Sequence, residues 1–355
     1  MLVLVSRRFY FWKAAVCVTF VRPQSPTPVR IRYDETLMAI YLITGVAGFI
    51  GSALARAVLA QGDQVRGVDN LSTGRRENLA EILQRIDFRE ADLLDLPAIY
   101  DVCRGVDYVL HEAAIPSVPK SVQDPLGSNR ANLDGTVNLL MAARDAKVKR
   151  VVYAASSSAY GDTPTLPKHE DMAPNPISPY AVAKLASEHY MISFYRCYGL
   201  ETVCLRYFNI FGPRQDPSSP YSGVLAKFIT QMLKGEQPTI LGDGKQSRDF
   251  TFVDNAVEAN LLACKAPAME VAGRVFNVAT GRRVDLNETF QILKKLTGYP
   301  GNVSYGPERA GDVKHSLADM SRATKHLGYI PKIDFEEGLR RTIEWYRSQE
   351  RAARA

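Results

Sequence analysis

From residue 38 onward the chain alternates between short apolar runs and longer amphipathic stretches. Residues 39–44 (Ala-Ile-Tyr-Leu-Ile-Thr) read as a buried strand, followed by a helix from about Phe49 to Gln61. Residues 64–68 and 86–90 read as a second and a third strand, and 106–110 and 150–154 as two more, with helical segments between. A long helix is predicted over about Pro179 to Gly199, then a strand over 202–206. Strands separated by helices imply parallel βαβ crossovers, so the expected fold is α/β with a doubly wound parallel sheet. The texture changes beyond Asn209. Prolines and glycines crowd residues 212–220, a predicted loop, and shorter elements continue to a final amphipathic helix near Phe335–Ser348. The expected organisation is an N-terminal extension over 1–37, a large doubly wound domain over 38–208, and a smaller lobe over 209–355. Some segments of that lobe are expected to return to the large sheet.

Composition narrows this picture. The 355 residues carry 46% hydrophobic and 23% charged side chains, which is ordinary for a globular chain and excludes intrinsic disorder. No run reaches the roughly 18 apolar residues of a membrane span. Five cysteines, at 17, 103, 197, 204 and 264, form no C-x-x-C pair; they suggest neither a disulfide framework nor a zinc site, and fit a reducing, cytoplasmic setting. Net charge is +6, but residues 1–37 hold six basic and two acidic side chains, leaving the rest near balance and without the footprint of a nucleic-acid binder. In that head, Lys13 splits the apolar stretch and no small-residue cleavage site follows. It reads as an appended tail, disordered or a non-native start, with Met38 standing just before the first strand.

Gly45-Val-Ala-Gly48-Phe49-Ile50-Gly51 lies between the first strand and the first helix. Glycines there permit a tight turn and close approach of backbone to a pyrophosphate, which then meets the positive end of the helix. A glycine trio alone is weak, since any strand-to-helix turn can use one. Asp69, 18 residues after Gly51 at the end of the second strand, adds an acceptor for ribose hydroxyls that would repel a 2′-phosphate. The pattern favours NAD over NADP on a Rossmann-type sheet, with Arg75 and Arg76 in the next loop as the opposing signal. Asp92, after the third strand, suits an adenine amine or, equally, a helix N-cap.

Tyr180 and Lys184 stand four residues apart on the long predicted helix, hence on one face. A phenol titrates near about 10, so it acts as a base at neutral pH only if its anion is stabilised. The expectation is that Lys184 and a cationic nicotinamide supply that stabilisation. Y-x-x-x-K by itself is common on helix surfaces. Ser156-Ser157-Ser158, however, follows the fifth strand at its carboxyl end, where ligands of α/β sheets collect.

With these residues in place the chain resembles the extended short-chain dehydrogenase/reductase family, and within it the nucleotide-sugar 4-epimerases. The marks are GVAGFIG, VDNLSTG (68–74), AASSSAYGD (154–162), SPYAVAK (178–184), RYFNIFGPRQDP (206–217), GDGKQSRDF (242–250) and ERAGDVKHSLAD (308–319). The resemblance implies Ser156, four residues before Tyr160-Gly161, as catalytic serine, Tyr180 as general base and Lys184 as its partner and nicotinamide-ribose ligand. It implies cofactor contacts at Phe49, Ile50, Asn70, Leu93, Asn132 and Tyr207 beside the glycines and aspartates. On the substrate side it implies Ser117, Ser156, Ser157, Asn209, Val224, Arg248, Arg309, Asp312 and Ser316, with no metal; arginine forks suit a diphosphate and a carboxylate suits a ribose diol. It further implies bound NAD, a UDP-sugar substrate, and a homodimer through helices around 120–145 and 179–199.

The implied reaction is C4 epimerisation through a transient 4-keto sugar. Dehydratases of the group carry an Asp-Glu pair after the catalytic hydroxyl residue; Ser157 and Ser158 stand there, so elimination is disfavoured. Ser316, at the position where glucose/galactose-restricted members tend to carry tyrosine, implies room for an N-acetyl group, hence UDP-GlcNAc/UDP-GalNAc with UDP-Glc/UDP-Gal as a second pair. The alternatives are a UDP-glucuronate epimerase or decarboxylase and, disfavoured because Ser156, Tyr180 and Lys184 are all present, a silent NAD-sensing regulator.

Overall fold

The computed structural model describes residues 38–217, 223–308 and 314–354. Six parallel strands appear in chain order: β1 (Ile40–Thr44), β2 (Gln64–Asp69), β3 (Asp87–Glu90), β4 (Tyr108–His111), β5 (Arg150–Ser156) and β6 (Glu201–Tyr207). A seventh, Arg274–Val278, comes much later in the chain and pairs in parallel with β6. The spatial order is β3, β2, β1, β4, β5, β6, then Arg274–Val278, so the order reverses between β1 and β4. A crevice outside the carboxyl ends of the strands is expected at such a reversal. Register fixes what faces it: Thr44 pairs with His111, and His111 with Tyr153.

The central strands β1, β4 and β5 are almost continuously apolar because both faces are covered, as parallel sheets require, whereas the edge strand β3 is mostly polar. One face packs helix α1 (Phe49–Ala60) and the helix Val253–Lys265 over a cluster including Ile43, Leu54, Val58, Val203 and Leu261. The other packs α2 (Leu96–Cys103) and the helices Gly135–Asp145 and Pro179–Tyr198 over Val109, Leu139, Val151, Tyr153 and Met191. The helix 179–198 starts where Ser178 accepts from the Ala181 N–H at 3.2 Å with Pro179 in the first turn, and stops at Gly199 in the left-handed region. Beyond β6, small two-stranded pairs appear; one joins Ser247–Asp249 to Arg283–Asp285 in antiparallel register.

Candidate functional site

At the switch point the first turn is built around backbone contact. Gly45 has a φ of +67°, its N–H donates to the Val68 carbonyl at 2.8 Å, and a Cβ on Gly51 would lie 2.2 Å from the Gly45 oxygen. Gly48 caps α1 without any side-chain acceptor. The first amides of α1 are therefore left to an external anion. Asp69 is buried at the end of β2, its carboxylate accepting from the Ala47 N–H at 2.9 Å and the Leu71 N–H at 2.8 Å. Burial pushes its pKa up and those two amides pull it down.

A cavity of about 660 Å³ opens here. Its lining includes Gly45, Gly48, Phe49, Ile50, Gly51, Asp69, Asn70, Asp92, Leu93 and Ser117, ten of the positions expected from sequence. These groups fit a dinucleotide: an open helix N-terminus for the pyrophosphate and a carboxylate for a ribose diol. The two arginines that argued for NADP are engaged, Arg75 with Asp216 at 2.6 Å and Arg76 with Glu90 at 2.5 Å.

Some expected positions serve differently. Asp92 is no helix N-cap: Asp95 caps α2, while Asp92 accepts from Asn70 Nδ2 at 2.6 Å and from the Leu94 N–H at 2.8 Å. Asn132 is buried in a π-helical turn, where its Oδ1 accepts from the Ile115 N–H at 2.7 Å; its neighbours Arg130 and Ala131 line the cavity, and it shapes the wall from behind. Its carbonyl accepts from the Ser187 hydroxyl at 2.9 Å, tying that turn to the helix 179–198. The Tyr207 hydroxyl donates to Glu112 Oε1 at 2.8 Å, so it reaches the site through that carboxylate.

Ser156 ends β5 and accepts from the Ser158 amide at 3.2 Å and hydroxyl at 2.8 Å. Tyr180 and Lys184 project from one face of the helix 179–198. The Lys184 ammonium donates to the Ala154 carbonyl at 2.8 Å and lies 4.7 Å from the centre of the Tyr153 ring. The expected depression of the Tyr180 phenol by Lys184 is absent from the chain by itself. Burial raises the phenol's pKa, and the group opposing burial is the Ser156 hydroxyl, through a hydrogen bond. Lys184 is itself pulled down to about 8 by burial, with Glu112 opposing. Its ammonium is held by the Ala154 carbonyl and the Tyr153 ring. A cationic nicotinamide, when bound, would supply the missing positive charge and accept hydride.

The substrate-side residues form a third group. Asn209 donates to the Asp249 carbonyl at 2.9 Å and to Ser316 Oγ at 3.3 Å, and the Ser316 amide donates to the Ser247 carbonyl at 3.0 Å. Arg248 sits on the same strand, donating to the carbonyls of Ser247 and Lys314 at 3.0 and 3.2 Å. Asp249, fully buried, holds this corner by accepting from the amides of Thr280 and Gly281 at 2.9 and 3.0 Å. Val224 opens the helix Val224–Leu233 directly after Gly223, which lines the cavity; Ser157 begins a short 3₁₀ turn after Ser156. Arg309 and Asp312 lie outside the described residues, as does the 1–37 extension. Sequence reasoning missed Glu112, Lys120, Arg214, Gln215 and Asp216 on the cavity wall. The last three sit inside a motif quoted for its resemblance, and Glu112 directly follows the end of β4, a position that strand-end logic could have found.

The NAD dependent epimerase/dehydratase family model matches residues 41–279. The chain belongs to that family. A UDP-N-acetylglucosamine 4-epimerase from Methanobrevibacter ruminantium, solved with UDP-N-acetylmuramic acid, is 41% identical over 88% of this chain and 99% of its own, with a TM-score of 0.84. A UDP-glucose 4-epimerase from Thermotoga maritima, solved with UDP-glucose, is 39% identical with the same coverages and TM-score. A UDP-glucose 4-epimerase from Thermus thermophilus, solved with NAD, is 36% identical over 87% of this chain and 99% of its own, with a TM-score of 0.80. This member of the family is NAD-dependent, consistent with the engaged Arg75 and Arg76. Among the described residues no helix is long and apolar enough to cross a membrane.

Proposed function

We propose that the protein is a UDP-sugar 4-epimerase acting on UDP-GlcNAc and UDP-GalNAc, with UDP-Glc and UDP-Gal as a second pair. The observation that carries the chemistry is Ser156 at the end of β5 facing the helix that carries Tyr180 and Lys184 on one face, with Lys184 anchored on the Ala154 carbonyl of the same strand at 2.8 Å. Ser156 and Tyr180 would take the 4-hydroxyl proton as C4 gives up hydride, and give it back to the keto oxygen as hydride returns to the other face of the turned sugar. General acid–base catalysis of this kind contributes roughly 10²–10⁴-fold. Arg248, Arg309 and Asp312 would anchor the nucleotide diphosphate so that the intermediate is retained. The sugar range rests on Ser316, a small side chain seated beside Asn209 where a bulky one would narrow the pocket. The same reading includes a homodimer. Val118, Val122, Leu126, Val182 and Tyr190 are exposed apolar side chains on the helices expected at its interface.

The test is product analysis by NMR with the four UDP-sugars and no added NAD. Both pairs should interconvert, Tyr180→Phe should lose roughly 10²-fold or more of the rate, and Ser316→Tyr should lose the N-acetyl pair first. Turnover of only the non-acetylated pair by the wild-type protein would remove the pocket argument.

A further inference from the structure

Glu112 is a cavity-wall carboxylate for which the reaction outlined above has no use. It follows β4 directly, one residue past the pairing of His111 with Tyr153, and is therefore level with Ala154 on β5. The Ala154 carbonyl is the acceptor that holds the Lys184 ammonium. On its other side Glu112 Oε1 accepts from the Tyr207 hydroxyl at 2.8 Å, and that oxygen in turn accepts from Asn260 Nδ2 at 2.6 Å. The Asn260 amide also donates to the Ala256 carbonyl at 2.8 Å, which fixes which way round it sits. With its oxygen accepting from Asn260, the Tyr207 proton is directed at Glu112. A hydrogen-bonded chain thus runs from the helix Val253–Lys265 through Tyr207 to Glu112, and ends level with the carbonyl that holds Lys184.

We infer that Glu112, held by Tyr207 and Asn260 level with the carbonyl that anchors Lys184, is a positioning residue that keeps Lys184 charged for catalysis. The inference rests on the proposed role of Lys184. Lys184 is almost fully buried against the Tyr153 ring and Ala154 carbonyl on β5 and the neutral His111 on β4; Glu188, one turn further along its own helix, is paired with Arg206 at 2.7 and 2.9 Å, which leaves Glu112 as the carboxylate whose charge acts on Lys184. His111 is locked between the hydroxyls of Thr44 and Thr136 at 2.8 and 2.9 Å, and burial pulls its pKa down to about 3, so it is neutral. Glu112 is faced by Tyr207 from β6 and by Lys184. Burial pushes it up to about 7, opposed by the Tyr207 hydrogen bond and by the Lys184 charge. Lys184, drawn down to about 8, loses its charge just above neutrality; removing the Glu112 charge lowers that midpoint further, so the alkaline limit of activity moves down.

The test compares wild type, Glu112→Gln and Tyr207→Phe, each checked for fold by near-ultraviolet circular dichroism. The Lys184 side-chain signal is followed in protein labelled with ¹³C at lysine Cε and assigned by its loss in Lys184→Met. In Glu112→Gln the Lys184 midpoint should fall by roughly one pH unit, and the alkaline limb of kcat should follow it while KM for the UDP-sugar stays within about twofold. Tyr207→Phe leaves the carboxylate but withdraws its donor, so it should shift both readouts the same way by less. Coincident midpoints and kcat profiles in wild type and Glu112→Gln would overturn the inference. Wild-type turnover by Lys184→Met would instead overturn the catalytic reading it rests on.

Discussion

At Gly51 a single methyl group separates a working phosphate turn from a broken one. A Cβ there would meet the Gly45 oxygen at 2.2 Å and the Val46 Cα at 3.0 Å, both backbone atoms with nowhere to move. Gly51→Ala should cost roughly 1–3 kcal/mol of overpacking and open the turn that faces the pyrophosphate. The protein should purify with less bound NAD, seen as a lower 260/280 nm absorbance ratio, together with a lower melting temperature. Glycines, Asp69 and the Tyr180/Lys184 pair were legible in the sequence because their meaning lies in local spacing: a turn, a strand end, one helix face. Glu112 was not, since only the register of β4 on β5 brings it level with the carbonyl that holds Lys184. The acceptor that holds Lys184 was hidden for a related reason. Spacing places a cation on the correct face but does not reveal which acceptor its N–H groups find.

Among the elements, the helix 179–198 shows how the catalytic face is kept in place. Glu188, two turns beyond Tyr180, accepts from Arg206 of β6 at 2.9 and 2.7 Å, with both side chains 3% exposed. The Arg206 guanidinium also stacks over the Tyr160 ring at 4.6 Å, next to the turn that begins at Ser156. One buried pair thereby joins the helix carrying the phenol to the strand beside the serine. Glu188→Ala would leave a buried guanidinium uncompensated, costing about 3–5 kcal/mol, and should lower the midpoint of urea unfolding accordingly. The last helix runs on to Arg354, six residues past its expected end, whereas the first six strands and the helices 49–60 and 179–198 matched the hydrophobic pattern to within one or two residues. The N-cap of α2 did not, because Asp92 and Asp95 carry the same local signal and only the positions of Asn70 and the Ala98 amide tell them apart.

For the molecule as a whole, the proposed dimer offers a further test. Val122 and Leu126 are 65% and 71% exposed, and Val182 is 51% exposed on the adjacent helix. Leu126→Glu should halve the mass measured by light scattering while leaving the circular dichroism spectrum unchanged; an unaltered mass would place any self-association elsewhere. The return of the chain to the central sheet bears on how the reaction can proceed. After β6 the polypeptide leaves to form the corner with Asn209 and Arg248 and comes back as Arg274–Val278, hydrogen-bonded to β6 itself; Ser316 joins that corner from the chain beyond. That corner is mounted at both ends on adjacent strands of one stiff platform, so it has no single pivot about which to rotate. In the proposed reaction, turning the keto sugar between these walls would then fall to torsion about the bonds linking it to its phosphates.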